Sequence, residues 1–221
     1  MPTILSDIEL RVLGSLIEKQ VTTPEYYPLT LNALTLACNQ KNNRHPVTAF
    51  DEAAVAQALE TLREKNLTYV FYGSNSRVAK YKHVMPEIFH LNQPELALMC
   101  VLMLRGAQTV GELRDRASRL YNFSGLEEVE ETLNSLTVKE PERLVIRLPR
   151  QPGQKEARIA HLLAGELSID HPAERESSKR APTSKPAETE ALLRLEREVA
   201  TLRAEVTGLQ QQFEDFKKQF E

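Results

Sequence analysis

The sequence predicts a mainly α-helical fold with small β-hairpins, of the α+β class, and three observations lead to it. Capped helices with apolar stripes precede a β-branched hairpin, the same order occurs a second time, and the last residues follow a heptad repeat. This order predicts tandem winged helix-turn-helix domains and a C-terminal coiled-coil helix. The predicted boundaries are residues 1–86 and 87–165 for the two winged-helix domains, 166–187 for a flexible linker and 188–221 for the coiled coil.

Two capped helices open the first unit. Ser6 and Glu9 form a capping box in front of an apolar stripe, which predicts a helix over about residues 7–19. Thr30 caps a second helix, and the polar loop of residues 39–46 ends it. The unit therefore begins as two helices joined by a short, proline-containing connection.

A third helix and a hairpin complete the first unit. Asp51 is the predicted N-cap of the helix. Residues 68–72 are β-branched and aromatic, residues 73–76 suit a turn, and residues 78–82 return, which predicts a hairpin or wing. The predicted buried stripe of the helix is Val55, Leu59 and Leu62.

The second unit repeats this order. Its third helix carries the same V-x-x-x-L-x-x-L pattern at Val129, Leu133 and Leu136. Strands are predicted over residues 144–148 and 158–163. The predicted capping boxes of its three helices pair Asn92 with Glu95, Thr109 with Glu112 and Ser124 with Glu127; Gly106 ends the first of these helices.

The C-terminal residues form the clearest periodic pattern in the chain. Apolar residues alternate in steps of three and four from Leu192 to Phe220, with valine at a and leucine at d, which favours a parallel two-stranded coil. A helix that folds back onto its own domains is the alternative. The Pro-, Ser- and charge-rich linker and the narrow seam favour self-association. The predicted dimerisation residues are Leu195, Val199, Leu202, Val206, Leu209, Phe213 and Phe216.

Three long motifs also resemble a known family. They are EKQVTTPEYYPL (residues 18–29), ACNQKNNRHPV (residues 37–47) and LRGAQTVGELRDRASRLYNFS (residues 104–124). These motifs resemble the YceH-like family of bacterial proteins, and the resemblance extends over about residues 6–165. It implies tandem winged-helix domains, a cytoplasmic location and no established activity.

Composition restricts the choice of partners. The net charge of −3 gives no overall attraction to nucleic acid, so such binding needs a local basic patch. The longest apolar run, residues 96–104, is too short to span a bilayer, and no signal peptide is recognisable, so we expect a cytoplasmic protein without a membrane partner. Cys38 and Cys100 lie in apolar helical runs and are expected to be free thiols rather than disulfide or metal ligands.

The candidate partner is double-stranded DNA, bound through the first unit. The loop before the third helix and the following hairpin offer side chains that read bases or bind phosphate. An ordinary polar loop and a solvated hairpin are the alternative. The predicted nucleic-acid-binding residues are Asn39, Gln40, Lys41, Asn42 and Arg44 in the loop, and Arg77, Lys80 and Lys82 in the hairpin.

Acidic side chains on both third helices favour a different function. Glu52, Glu60 and Glu64 lie on the predicted solvent face of the first, and four glutamates crowd the start of the second. Carboxylates that face phosphates are repelled, so a protein-interaction adaptor without DNA binding is the alternative, with a protein partner at the acidic helix of residues 125–137. The basic residues of the second wing, solvated or in contact with a partner, are Arg147, Arg150, Lys155 and Arg158.

Catalysis is not expected. None of the five histidines stands at metal-ligand spacing to another His or Cys, and no phosphate-binding glycine loop or nucleophile motif occurs. Tyr26 and Tyr27 could stack on a base, although packing at the helix junction is the favoured role. The sequence therefore predicts no enzyme activity, no cofactor and no metal.

Overall fold

The same order of elements occurs twice along the chain: an α-helix, a short strand or bridge, two further helices and a hairpin. The computed structural model describes residues 3–72, 78–140, 142–150 and 154–165, which belong to a unit that extends from Met1 to Leu167. The predicted linker and coiled-coil helix lie outside the described residues, as does the predicted turn of the first hairpin. The first repeat contains α1 (Asp7–Thr22), β1 (Leu29–Thr30), α2 (Leu31–Cys38), α3 (Glu52–Glu64), β2 (Thr68–Phe71) and β3 (Lys80–His83), and the second contains α5 (Gln93–Arg105), α6 (Val110–Ala117), α7 (Leu126–Thr137), β4 (Val145–Arg147) and β5 (Ile159–His161).

Most helices begin at the predicted cap. The capping boxes of α1, α5 and α6 are present, with the cap side chain accepting a backbone N–H and the glutamate accepting one in return. Thr30 and Asp51 accept N–H groups at the starts of α2 and α3. The predicted Ser124–Glu127 box is wrong: Gly125 is the N-cap of α7 without a side-chain bond, and Glu128 accepts the Ser124 backbone N–H at 2.7 Å.

Both repeats pair a residue before their second helix with the returning strand of the hairpin. In the first repeat β3 lies between β1 and β2, and Leu29 is opposite Tyr81. In the second repeat β4 pairs with β5, and Gln108 forms an antiparallel bridge with Ile159. Neither of these short pairings was predicted from the sequence, because two residues or fewer carry no periodicity.

A short helix, α4 (Met85–Phe89), connects the repeats and was also not predicted. Its Met85 and Phe89 side chains are buried, and Pro86 occupies the first turn, where a missing N–H does no harm. His90 takes a left-handed conformation (φ 51°) at its end. The connection is therefore packed into the core.

The two repeats share one hydrophobic core, and the contact of α1 with α5 lies at its centre. Gly14 of α1 permits this contact, because a Cβ there would lie 2.9 Å from Leu104 Cδ2. The Cys100 Sγ of α5 lies 3.4 Å from the Gly14 carbonyl oxygen. The first and last described segments also meet, since the Leu5 N–H donates to the Leu163 carbonyl at 2.6 Å.

Charged groups support the same core. The buried Glu95 caps α5 and also accepts hydrogen bonds from Lys139 (2.7 Å) and Ser135 (2.6 Å), which link α5 to the end of α7. No helix in the part of the chain that the structure describes combines the length and the apolar character needed to cross a membrane.

The close approach at Gly14 gives a stability prediction. Gly14→Leu should lower the free energy of unfolding by about 2 kcal/mol, because the added side chain overpacks the α1–α5 contact. Urea denaturation measures the change. Gly111→Ala is the matched control in α6, where a Cβ meets nothing within 4 Å, and it should leave stability unchanged or raise it by up to about 1 kcal/mol. Equal stability of the two variants would contradict the packing argument.

Candidate nucleic-acid interface

The α2–α3 loop, residues 39–51, is held by an arginine from the first helix. The Arg11 side chain is buried, and its guanidinium donates to the Cys38 carbonyl at 3.1 Å, the Pro46 carbonyl at 2.6 Å and the Thr48 hydroxyl at 3.2 Å. These bonds connect both ends of the loop to one group in α1. The polar composition of the loop therefore belongs to a fixed structure.

Arg44, a predicted DNA contact, is a second internal support of this loop. Its side chain is 0% exposed and pairs with Glu18 at 2.6 Å. It also donates to the carbonyl oxygens of Ala37 (2.9 Å) and Asn43 (3.1 Å). A guanidinium enclosed in this way presents no surface to phosphate, so in this structure Arg44 positions the loop and does not form part of its outer face.

Only part of the predicted loop set faces solvent. Asn39 links the two ends of the loop. Its side-chain amide donates to the Phe50 carbonyl at 2.7 Å and accepts the Phe50 N–H at 2.8 Å. Gln40 is half-buried, whereas Lys41 and Asn42 are exposed. One cation and one amide therefore remain as outward groups at the tip of the loop.

The β2–β3 hairpin presents two lysines and two aromatic rings on one face. Tyr69 is opposite Lys82, and Phe71 is opposite Lys80; alternate residues of a strand point to the same side. The Lys82 Nζ lies 5.0 Å from the centre of the Phe71 ring. We call Tyr69, Phe71, Lys80 and Lys82 the hairpin face. The two rings, Tyr69 and Phe71, were not among the DNA contacts predicted from the sequence. The predicted Arg77 lies outside the described residues.

The outward side of α3 is acidic, as predicted. Glu52, Glu60 and Glu64 are exposed. Glu60 forms an ion pair with Arg63 one turn away, and Glu52 accepts a hydrogen bond from Asn32 at 3.0 Å. The first repeat therefore presents Lys41, Lys80 and Lys82 on the loop and hairpin, and three exposed carboxylates on the third helix.

An arginine cluster beside the loop was not predicted. Arg105 of α5 donates to the Asn43 side-chain oxygen at 2.6 Å, and Arg119 pairs with Glu18 at 3.2 Å. Arg116 lines the same small pocket. Burial and the neighbouring arginines lower the pKa of Arg105. The only signal in the sequence was the R-x-x-R spacing of Arg116 and Arg119, in the motif of residues 104–124 that carries the family resemblance.

Several charges of the second repeat are engaged internally. Arg147 pairs with Glu130 at 2.5 Å, and Arg158 donates to the Ala107 carbonyl at 2.8 Å and lies 3.4 Å from Glu112. Arg150 and Lys155 are exposed. Among the glutamates of α7, Glu127 and Glu131 are exposed, whereas Glu128 is tied to Ser124 and Tyr121.

Buried histidine and tyrosine support the hairpin base. The His83 Nε2 lies 2.5 Å from the Gln20 side-chain oxygen, and burial lowers the pKa of His83 to about 4. The His83 backbone N–H donates to the Tyr27 hydroxyl at 2.9 Å, so Tyr27 has the expected packing role. Tyr26 is 71% exposed.

Both cysteines are buried and free, as expected from their apolar surroundings. Burial raises the pKa of Cys38 to about 11 and also raises that of Cys100, so neither thiol is readily ionised. Within the described ranges, no three His, Cys, Asp or Glu side chains are grouped so that they could hold a metal ion.

Comparisons with known proteins agree with the motif resemblance. Residues 5–154 match the family described as "Protein of unknown function, DUF480". A UPF0502 protein of Geobacter sulfurreducens is 49% identical over 221 residues, which cover 100% of both chains. A UPF0502 protein of Geotalea uraniireducens is 51% identical over 98% of both chains, and one of Vibrio atlanticus is 46% identical over 95% of this chain and 96% of its own. These similarities confirm the resemblance to an uncharacterised bacterial family.

The burial of Arg44 gives a prediction that distinguishes a residue that stabilises the loop from one that contacts a partner. Arg44→Met should lower the free energy of unfolding by about 3 kcal/mol, because the buried Glu18 carboxylate loses its closest partner. Lys41→Met, on the same loop but exposed, should change it by less than about 0.5 kcal/mol. Urea denaturation measures both. A loss below about 1 kcal/mol for Arg44→Met would contradict the supporting role.

The buried His83 predicts a pH dependence of stability. The pKa of His83 is about 4 in the folded chain, against an ordinary value of 6.5. As pH falls, the histidine is therefore protonated first in the unfolded chain. Its contribution to stability is full above pH 6.5 and decreases as pH falls toward 4. Between pH 7 and pH 5 this effect amounts to about 2 kcal/mol. His83→Gln should make the decrease shallower by that amount in urea denaturation. His161, whose pKa burial also lowers to about 4, contributes a decrease of the same sign in both proteins. An unchanged slope in the variant would refute the assignment.

Proposed function

The chain belongs to the DUF480 family of proteins of unknown function, and we propose that it is a non-enzymatic DNA-binding protein with a regulatory role. The two repeats are proposed winged-helix domains, and the first contacts double-stranded DNA. The observation that carries the proposal is the fixed display of Lys41 and Asn42 on a loop whose backbone is held by Arg11 and Arg44.

The order of elements supports the winged-helix assignment. In a helix-turn-helix protein the second helix of the motif follows a turn and approaches the DNA. Here α2, the α2–α3 loop and α3 occupy that place, and the β2–β3 hairpin is in the position of a wing. The three-stranded sheet fixes the hairpin to the residues just before α2, which are Leu29 and Thr30.

The distribution of charge favours contacts with the DNA backbone. Lys41 and the two lysines of the hairpin face are suited to phosphate oxygens, and the hairpin rings add a surface on which sugars or bases can rest. A loop that is already fixed loses less conformational entropy on binding. The acidic α3 is poorly suited to lie deep in the major groove, so base reading is limited to amides such as Asn42.

The proposed active form is a dimer. The seam from Leu195 to Phe216 lies outside the described residues, and its heptad spacing is the support for self-association. Two linked copies of a modest phosphate-binding surface would bind one duplex more tightly without new contacts.

A protein-interaction adaptor is the second candidate, and the surface of α7 favours it. Glu127 and Glu131 are exposed there, beside Leu126, which is 46% exposed. Val138, at the end of the helix, is 75% exposed. An acidic surface with exposed apolar side chains suits a basic, amphipathic partner segment.

Removal of the outward lysines tests the DNA proposal. Lys41→Gln, Lys80→Gln and Lys82→Gln combined should weaken binding to random duplex DNA at low salt by at least about tenfold. The salt dependence should become shallower by about three, because each lost phosphate contact removes about one unit of slope. Fluorescence anisotropy across a salt series measures both quantities.

The matched control removes the same charge from the second repeat, by Arg114→Gln, Arg143→Gln and Lys155→Gln at exposed positions. Equal losses in the two variants would contradict the assigned surface. If the unaltered protein does not bind duplex DNA even at low salt, the DNA proposal is wrong. A stoichiometric protein partner recovered from nuclease-treated lysate would then support the adaptor.

A further inference from the structure

A small pocket at the junction of the repeats is lined by three arginines of the second repeat and by Glu18 and Asn43 of the first. Arg105 at the end of α5 and Arg116 and Arg119 in and after α6 line it, together with Asn43 of the α2–α3 loop. Its wall is apolar, formed by Cys100, Val101, Leu104 and Leu120. Guanidiniums beside an apolar wall attract anions more strongly than they would in open solvent.

The cluster has more positive than negative groups. Glu18 is shared between Arg44 (2.6 Å) and Arg119 (3.2 Å), and Glu112 pairs with Arg116 at 3.2 Å. Glu112 is itself also shared with an arginine of the second hairpin. The hydrogen bond of Arg105 in this cluster goes to the neutral Asn43 side chain. Glu18 and Glu112 therefore pair with four arginines, and Arg105 adds a fifth guanidinium, so a net positive charge remains around the pocket.

From this geometry we propose that the pocket binds a phosphate group, held by Arg105, Arg116 and Arg119. Arginine presents several N–H donors in a plane and matches phosphate oxygens with two parallel hydrogen bonds. The Glu18 carboxylate at the pocket is neutralised by its two arginines and does not oppose an anion. Asn43 adopts a left-handed conformation (φ 59°), which many residues avoid, and its side chain positions Arg105.

The phosphate could belong to a DNA backbone or to a small phosphorylated molecule. In the first case the pocket would extend the proposed DNA surface, because Asn43 is next to Asn42 in the loop. In the second it would be an independent ligand site whose occupation links the loop to the second repeat. The inference itself does not rest on DNA binding, since the chemistry of recognition is the same.

Inorganic phosphate, titrated into the full chain at constant ionic strength with chloride as balance, is the first test. NMR signals of the Asn43 amide and the arginine Nε groups report binding at the pocket. We expect saturable shifts at these groups, and at least tenfold weaker binding in Arg116→Gln. This variant should fold normally, because it removes a partly exposed (i, i+4) pair. A second variant, Arg105→Gln with Arg116→Gln, should abolish binding.

Arg114→Gln is the matched control, since Arg114 lies on the same helix but pairs with Asp115. It should bind phosphate like the unaltered protein. Shifts that do not saturate, that are spread over the surface, or that weaken equally in Arg114→Gln and Arg116→Gln would overturn the proposal.

A duplex DNA titration of the same variants identifies the source of the phosphate. Weaker duplex binding by Arg116→Gln than by Arg114→Gln, with competition by inorganic phosphate, indicates a backbone phosphate. Equal duplex binding, with phosphate binding lost only in Arg116→Gln, indicates a small phosphorylated ligand. If phosphate binds and duplex does not, the pocket stands and the DNA proposal fails; if duplex binds and phosphate does not, the pocket proposal fails alone.

Discussion

The buried carboxylate of Glu18 connects the parts of this protein that would otherwise be independent. It lies on α1, and it pairs with Arg44 of the α2–α3 loop and Arg119 of the second repeat. Removing a carboxylate from water is costly, so such a group is retained only when charged donors surround it. Once Glu18 is buried, both arginines must remain in place, and with them the loop and the C-terminal side of α6.

The rigidity of the loop follows from the same constraint. The Arg44 side chain points inward, pairs with Glu18 and donates to the Ala37 carbonyl oxygen. At the other end of the loop, Arg11 donates to the Pro46 carbonyl oxygen. The His45 N–H donates to the Leu104 carbonyl at 2.9 Å, which joins the loop to α5. Several backbone groups of this 13-residue loop are thus bonded to buried side chains or to α5, and its exposed side chains stand on that support.

Local signals in the sequence were sufficient for most of the fold. Helix caps and apolar stripes depend on residues three or four positions apart, and they predicted α1, α3, α5 and α6. The error at α7 is of the same local kind, because Glu127 and Glu128 are adjacent and both fit a capping pattern. The short helix α4 and the strand β1 depend on tertiary contacts, and such short elements have no pattern of their own.

The candidate site was harder to predict because the role of an arginine depends on what lies beside it in space. Arg44 and Lys41 are three residues apart in one polar loop, and sequence alone gave both the same role. The structure separates them by burial, since Glu18, twenty-six residues earlier, draws Arg44 inward. Arg105 and Arg119 were overlooked because they are fourteen residues apart in the sequence, and only the packing of the two repeats brings them to one pocket.

Internal ion pairs therefore decide which charges of this chain are left for partners. The net charge of −3 would suggest a surface with little attraction for anions, yet Glu18 and Glu112 are each shared between two arginines. Glu9, Glu18 and Glu95 are buried in pairs with basic side chains. An acidic chain can in this way keep locally uncompensated cations, and their position beside the α2–α3 loop is a consequence of the same contacts that hold the two repeats together.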